Sequence, residues 1–111
     1  MSLSTIGFSQ CKMDSDGKTL RNSSNSSIGR IDSDGKTIRN ASNSSVGRVD
    51  SDGKTIRNSS NSVVLILDSD GKTIRNSSNS KIAEMDDVTD AIKGAKKEAV
   101  YVALWYFLCN D

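Results

Sequence analysis

The sequence predicts a mainly β fold: five 18-residue antiparallel β-hairpin repeats in a closed or nearly closed meander around a C-terminal apolar helix. Three observations lead there. The string DSDGKT(I/L)RN(S/A)SNS begins at Asp14, Asp32, Asp50 and Asp68, a fixed spacing of eighteen residues. Each copy sets two short runs with isolated apolar residues around an Asp-Gly pair and links to the next copy through an Asn/Ser cluster, the pattern of hairpins in series. The long apolar run, Ala99 to Cys109, follows the last copy and holds four of the five aromatic residues, Tyr101, Trp105, Tyr106 and Phe107.

The repeats, taken in order, are hairpins 8–21, 26–39, 44–57, 62–75 and 80–93. In the first, Gln10 to Met13 match the strand SIGRI of the second, with Cys11 at the Gly position and Met13 at the Ile position. The fifth follows from continuing the register: Asp86, Asp87, Val88, Thr89, Asp90, Ala91, Ile92 and Lys93 fall where DSDGKTIR belongs. Ile92 then matches Ile38, Ile56 and Ile74, and Lys93 matches the arginine.

Turn chemistry fixes the expected pairing. In Ser33-Asp34-Gly35-Lys36 the Asp-Gly pair suits the centre of a type I′ turn, whose two central residues have positive φ. That register sets Ile31 opposite Ile38 on an apolar face, with Arg30 opposite Arg39 on a polar one. A three-residue turn with Gly35 in a bulge would set Ile31 opposite Thr37 and mix the faces, so segregation favours the first register. The NSSN or NASN connection leaves no room for a helix, and its Asn tolerates a left-handed backbone. All ten strands are therefore expected to run antiparallel to their neighbours. Gly29 and Gly47 interrupt strands at the position of Cys11, Leu65 and Ala83, which marks either a bulge or a close backbone approach.

A lone hairpin is unstable in water and an open meander exposes two edges, so closure is favoured. Ten strands ~4.8 Å apart and tilted by about 40° enclose a radius of roughly 10 Å, more than one Ile or Val per strand fills. A helix ~10–12 Å across suits the axis. The segment 95–109 is expected to supply this core as a helix over 95–108, the alternative being an extra buried strand favoured by Val100, Tyr101, Val102 and Trp105 to Phe107. A chain stopped after Gly94 is then expected not to fold.

Composition narrows the function classes. At 111 residues, with residues 1–94 in repeats and 95–109 as their core, one domain is expected over 1–111. The net charge of +1 provides no cation excess for a phosphate backbone, so no nucleic-acid partner is expected. The absence of His removes the commonest general base and zinc ligand. Cys11 and Cys109 do not make a disulfide framework and are expected as buried reduced thiols, although a single bridge between the termini is the alternative. MSLSTIGFSQ has neither a basic nor an apolar leader region, so a soluble cytoplasmic protein is the default expectation. The apolar run is about half of the ~20 residues a membrane span requires.

The repeat unit, with its D-G-[KT]-x-[IV]-R-[ND]-S-[SN]-N core, resembles a bacterial family of uncharacterised proteins described as a five-fold β-flower. The resemblance covers residues 8–94 through the motif and agrees in character with the apolar C-terminal segment. It implies the repeat architecture and no activity. Two units depart from the pattern: DDVTDAIK replaces the Gly turn in the fifth, and VVLIL replaces the IGRI strand in the fourth.

Candidate sites follow from the repetition, because closure turns each repeated residue into a ring. Arg21, Arg39, Arg57, Arg75 and Lys93 form a candidate ring for an anion or a carboxylate-rich partner. The plainer reading is a solvated face balanced by Asp14, Asp32, Asp50 and Asp68. Asp16, Asp34, Asp52 and Asp70 suggest an acidic collar, but the third oxygen ligand and the bidentate Glu of a calcium loop are missing. Turn chemistry accounts for them, so no metal and no cofactor are expected, and ordinary pKa values are expected in these exposed turns. Nothing pairs a Ser or Cys with a base, and no Gly-rich phosphate loop opens a helix, so catalysis is not expected. Asn22-Ser23-Ser24 and its copies match a glycosylation sequon, which composition alone explains. The polar lattice suits a glycan or protein partner. The strand 63–67, entirely apolar, is expected to turn one side outward, either against Ile6 and Phe8 or in a homo-oligomer.

Overall fold

A computed structural model describes residues 11–109. Ten strands form one sheet: β1 (Cys11–Met13), β2 (Thr19–Asn22), β3 (Ser27–Ile31), β4 (Thr37–Asn40), β5 (Ser45–Val49), β6 (Thr55–Asn58), β7 (Val63–Leu67), β8 (Thr73–Asn76), β9 (Lys81–Glu84) and β10 (Ile92–Lys93). From β1 to β9 each strand pairs antiparallel with the next, as the short turns require. Residues 8–10, at the front of the first expected hairpin, lie outside the described residues, as do Ile6 and Phe8.

The pairing register is the one that segregates the faces: Ile31 faces Ile38 and Arg30 faces Arg39. The turn itself is of another type. Gly35 has φ +74°, whereas Asp34 does not have positive φ, so a type I′ turn is ruled out. Instead Gly35 donates to the Asp32 carbonyl at 2.9 Å and Asp32 donates to the Thr37 carbonyl at 2.8 Å, closing a loop built on a type I turn. The Asp34 side chain, which caps the loop from within, makes this geometry favourable. At the opposite end Asn25, Asn43, Asn61 and Asn79 take φ between 67° and 70°, the left-handed role expected of them.

The fifth unit is not a hairpin. After β9 the chain enters a helix, α1 (Met85–Ala91), and β10 pairs parallel with β1, setting Cys11 against Ile92 and Lys12 against Lys93. The sheet is therefore not closed by hydrogen bonds: β9 and β10 are its two ends, and α1 joins them. The cause is local. Val88 stands where the other units have Asp16, Asp34, Asp52 or Asp70, and Met85, Val88 and Ile92 are buried at helical spacing. The Glu84 N–H that β9 would offer at the sheet end is satisfied by Asp87 Oδ2 at 2.8 Å.

Leu20, Ile38, Ile56, Ile74 and Ile92, eighteen residues apart, are all fully buried. The C-terminal segment packs among them as a helix, but a shorter and less regular one than expected. α2 covers Ala99–Leu104 and continues as a π-helical turn, Trp105–Cys109, while residues 95–98 precede it without helical structure. Tyr101, Val102, Ala103 and Leu104 are buried, whereas Trp105 to Leu108 are only half-buried, so the plug is enclosed over its first part and again at Cys109. The Tyr101 hydroxyl donates to the Gly17 carbonyl at 3.3 Å, which seats the start of α2 among the Asp-Gly turns.

At the other end of the plug Cys109 is bonded to Cys11 in a disulfide, which corrects the expectation of reduced thiols. The open question about Gly29 and Gly47 also resolves. A Cβ on Gly29 would lie 2.3 Å from Leu108 Cδ1, and one on Gly47 would lie 2.3 Å from Phe107 Cε2. The glycines make room for the plug. The bulge is next door: Leu20 faces Gly29 while Arg21 faces Ser27, which leaves Ile28 unpaired, and Val46, Val64 and Ile82 repeat it.

Candidate functional site

Because apolar residues point inward, the intervening residues of the strands form a largely polar outward face, with the all-apolar β7 as an exception. Arg21, Arg39, Arg57 and Arg75 lie there, each flanked by buried Leu20, Ile38, Ile56 or Ile74. Each guanidinium bonds to the aspartate seven residues earlier, at 3.2 Å (Arg21–Asp14), 3.1 Å (Arg39–Asp32), 3.0 Å (Arg57–Asp50) and 3.4 Å (Arg75–Asp68). Each also donates to the carbonyl of the left-handed Asn four residues on, at 3.0–3.1 Å. Arg30 and Arg48 approach Asp32 and Asp50 from the other side and donate to the Asn43 and Asn61 side chains. The first and fourth hairpins thus carry one guanidinium each and the second and third carry two, each engaged within its own eighteen-residue unit. Lys93 is exposed on β10, in register with Lys12.

The aspartates of the Asp-Gly turns are tied more tightly. Asp34 Oδ1 accepts from the Lys36 and Thr37 N–H groups at 2.8 and 2.9 Å, and Oδ2 accepts from Thr37 Oγ1 at 2.7 Å. Asp16, Asp52 and Asp70 repeat the arrangement. Since these donors favour the charged form, the pKa values are not ordinary. Backbone N–H groups, then the Thr hydroxyl, hold Asp16, Asp34 and Asp52 at about 2, against 3.8, and lower Asp70. Asp32 is lowered first by Arg39 and next by the Ser33 N–H. Among the described residues no group of three or more acidic, Cys or His side chains is placed to hold a metal.

The fourth strand pair modifies the face. Ile66 stands opposite Arg75, where the second and third units have Arg30 and Arg48, and both Val64 and Ile66 are half-buried. Among the described residues the large apolar side chain that is exposed is Ile82, 45% accessible, on terminal strand β9. Sequence reasoning missed it because it treated β9 as an interior strand.

Two clefts open among the Asp-Gly turns. One lies between the second and third turns and the start of α2, lined by Gly35, Val49, Asp50, Leu67, Lys97 and Val100 among others. The second lies between the fourth turn and α1. None of Arg21, Arg39, Arg57, Arg75 and Lys93 lines either cleft.

A family model described as 5-fold beta-flower protein matches residues 4–108. The chain belongs to that family. No curated protein and no solved structure gives a match. In this beta-flower protein the repeated units supply four regular hairpins, and α1 stands in place of the fifth turn. No helix among the described residues is long and apolar enough to cross a membrane.

Proposed function

We propose that this beta-flower protein is a non-catalytic interaction module whose recognition surface is the repeated polar lattice on its outward face. The observation that carries the reading is the repetition of one hydrogen-bonded unit: an Arg held between an Asp and an Asn carbonyl recurs every eighteen residues with nearly constant distances. Side chains held this way lose little freedom on contact, which favours recognition of an extended polar or acidic partner touching several units at once. Arg21, Arg39, Arg57, Arg75 and Lys93 are the residues assigned to that contact. The turn aspartates are charged and capped, and therefore suited to support rather than to proton transfer.

The test is graded substitution. Arg39→Gln, then Arg39→Gln with Arg57→Gln, then all four Arg→Gln, are screened on glycan and acidic-peptide arrays beside the wild type. Binding that weakens stepwise with each lost unit supports the lattice. Binding unaffected by all four changes removes these residues from the function, and turnover of any arrayed compound overturns the non-catalytic reading.

A further inference from the structure

The repeated face offers several equivalent contacts, whereas one cleft lies where the repetition breaks. It lies between the fourth Asp-Gly turn and α1, has a volume of about 470 Å³, and is lined by Asp70, Gly71, Lys72, Glu84, Met85, Asp86 and Lys97. This size falls within the ~300–1,000 Å³ of small-molecule pockets. It exists because Val88 and the helix replace a fifth turn.

The lining charges are of both signs and unequally engaged. Asp70 is filled by the Lys72 N–H, the Thr73 N–H and the Thr73 hydroxyl. Glu84 has a single ion pair, with Lys81, and its side chain is 53% exposed. The side chains of Lys72, Lys97 and Asp86 have no hydrogen-bond or ion-pair partner among the described residues, although the Asp86 carbonyl accepts from the Thr89 hydroxyl. The backbone N–H of Lys72 is engaged with Asp70, but its ammonium is not. The cleft is therefore lined by two lysines, Lys72 from the turn and Lys97 from the plug, and by Glu84 and Asp86 on either side of Met85.

We propose that this cleft binds a free α-amino acid, whose carboxylate lies between Lys72 and Lys97 and whose ammonium faces Asp86 and Glu84. A ligand carrying one charge satisfies half of this arrangement and leaves the opposite set unpaired. A zwitterion satisfies both through charge-assisted hydrogen bonds, which are stronger than neutral ones. The helix α1 replaces one turn in the chain, so the expected stoichiometry at this cleft is one to one. The proposal does not rest on the lattice reading, because no lattice arginine lines the cleft.

The experiment is a nuclear magnetic resonance titration of the full chain with glycine, L-methionine and L-glutamate, with acetate and methylamine as single-charge controls. The expected result is saturable, one-to-one shifts at the Gly71, Lys72, Met85 and Asp86 amides with at least one amino acid, and binding about tenfold weaker for both controls, the scale of one charge-assisted hydrogen bond. Lys97→Gln and Asp86→Asn are each expected to weaken binding by about tenfold with an unchanged melting temperature. Absence of saturable shifts with all three amino acids overturns the proposal. So does acetate binding as tightly as the amino acids, or Lys97→Gln binding as the wild type does.

Discussion

Gly47 and Phe107 meet at a distance that admits no side chain on the strand: a Cβ at Gly47 would lie 2.3 Å from Phe107 Cε2 and 2.7 Å from the Arg57 carbonyl oxygen. Gly47→Ala is therefore expected to destabilise the fold by roughly 1–3 kcal/mol, the range for overpacking a filled core. Phe107→Leu in the same chain removes the side-chain clash but not the backbone one, so recovery should be partial. Urea melts of the two single variants and the double variant check this, and strict additivity would show that the two residues do not interact.

The second prediction concerns the bridge between Cys11 and Cys109, which are 98 residues apart. A loop of that length removes much unfolded-state entropy, and the chain-entropy relation gives about 4.7 kcal/mol for ~100 residues, with ~2–4 typical in practice. Cys109→Ser, or reduction of the wild type, should lower stability by about 2–4 kcal/mol in denaturant titrations. Equal midpoints with and without reductant would argue that the bridge is absent. A bridge of this kind persists where the surroundings are oxidising.

Much of the architecture was legible in the sequence because identical units must make identical local structure. The eighteen-residue period gave the strands, the left-handed Asn residues and the pairing of Ile31 with Ile38. Periodicity also misled, since extending the register over Asp86 to Lys93 hid the helical spacing of Met85, Val88 and Ile92. That spacing, with no Gly in DDVTDA, was the available signal for α1. The turn type was missed because Asp-Gly fits both a type I′ turn and a type I turn capped by its own aspartate. The pairing of Cys11 with Cys109 was legible only as the alternative to reduced thiols, because it depends on where the plug ends in space. The outward arginines were placed correctly on the polar face, whereas the cleft beside α1 had no sequence signature apart from the broken repeat.

Acid should unfold the protein through the turn aspartates. Asp16, Asp34 and Asp52 titrate at about 2 when folded, below the ordinary 3.8, and Asp70 is also lowered. A depressed folded value means that the stabilisation is complete above the unfolded pKa and is lost as pH falls through the folded one. Stability should therefore be level above about pH 4 and decline steadily toward pH 2. Asp34→Asn keeps an oxygen for the Lys36 and Thr37 N–H groups but cannot ionise, so its decline should be shallower. Thermal melts from pH 6 to pH 2 give the comparison, and parallel profiles for the variant and the wild type would remove Asp34 from the effect.

Removal of the plug tests the whole design. In a chain stopped after Gly94, fully buried Leu20, Ile38, Ile56 and Ile74 lose Val102, Ala103 and Leu104 as packing partners, and Cys11 loses its bridge. The loss has no local remedy: the sheet has two ends and is not closed by hydrogen bonds, so the strands have no continuous ring to hold them around an empty axis. Burial of each large apolar side chain contributes ~1.5–3 kcal/mol, and a domain of this size holds a net of only ~5–15 kcal/mol. The truncated chain should therefore show no cooperative thermal transition and rapid amide exchange throughout. A second form separates folding from connectivity: residues 95–111 supplied as a peptide with Cys109 free to pair should restore protected amides at Leu20, Ile38, Ile56 and Ile74. A truncated chain that melts cooperatively without the peptide would show that the repeats have a core of their own.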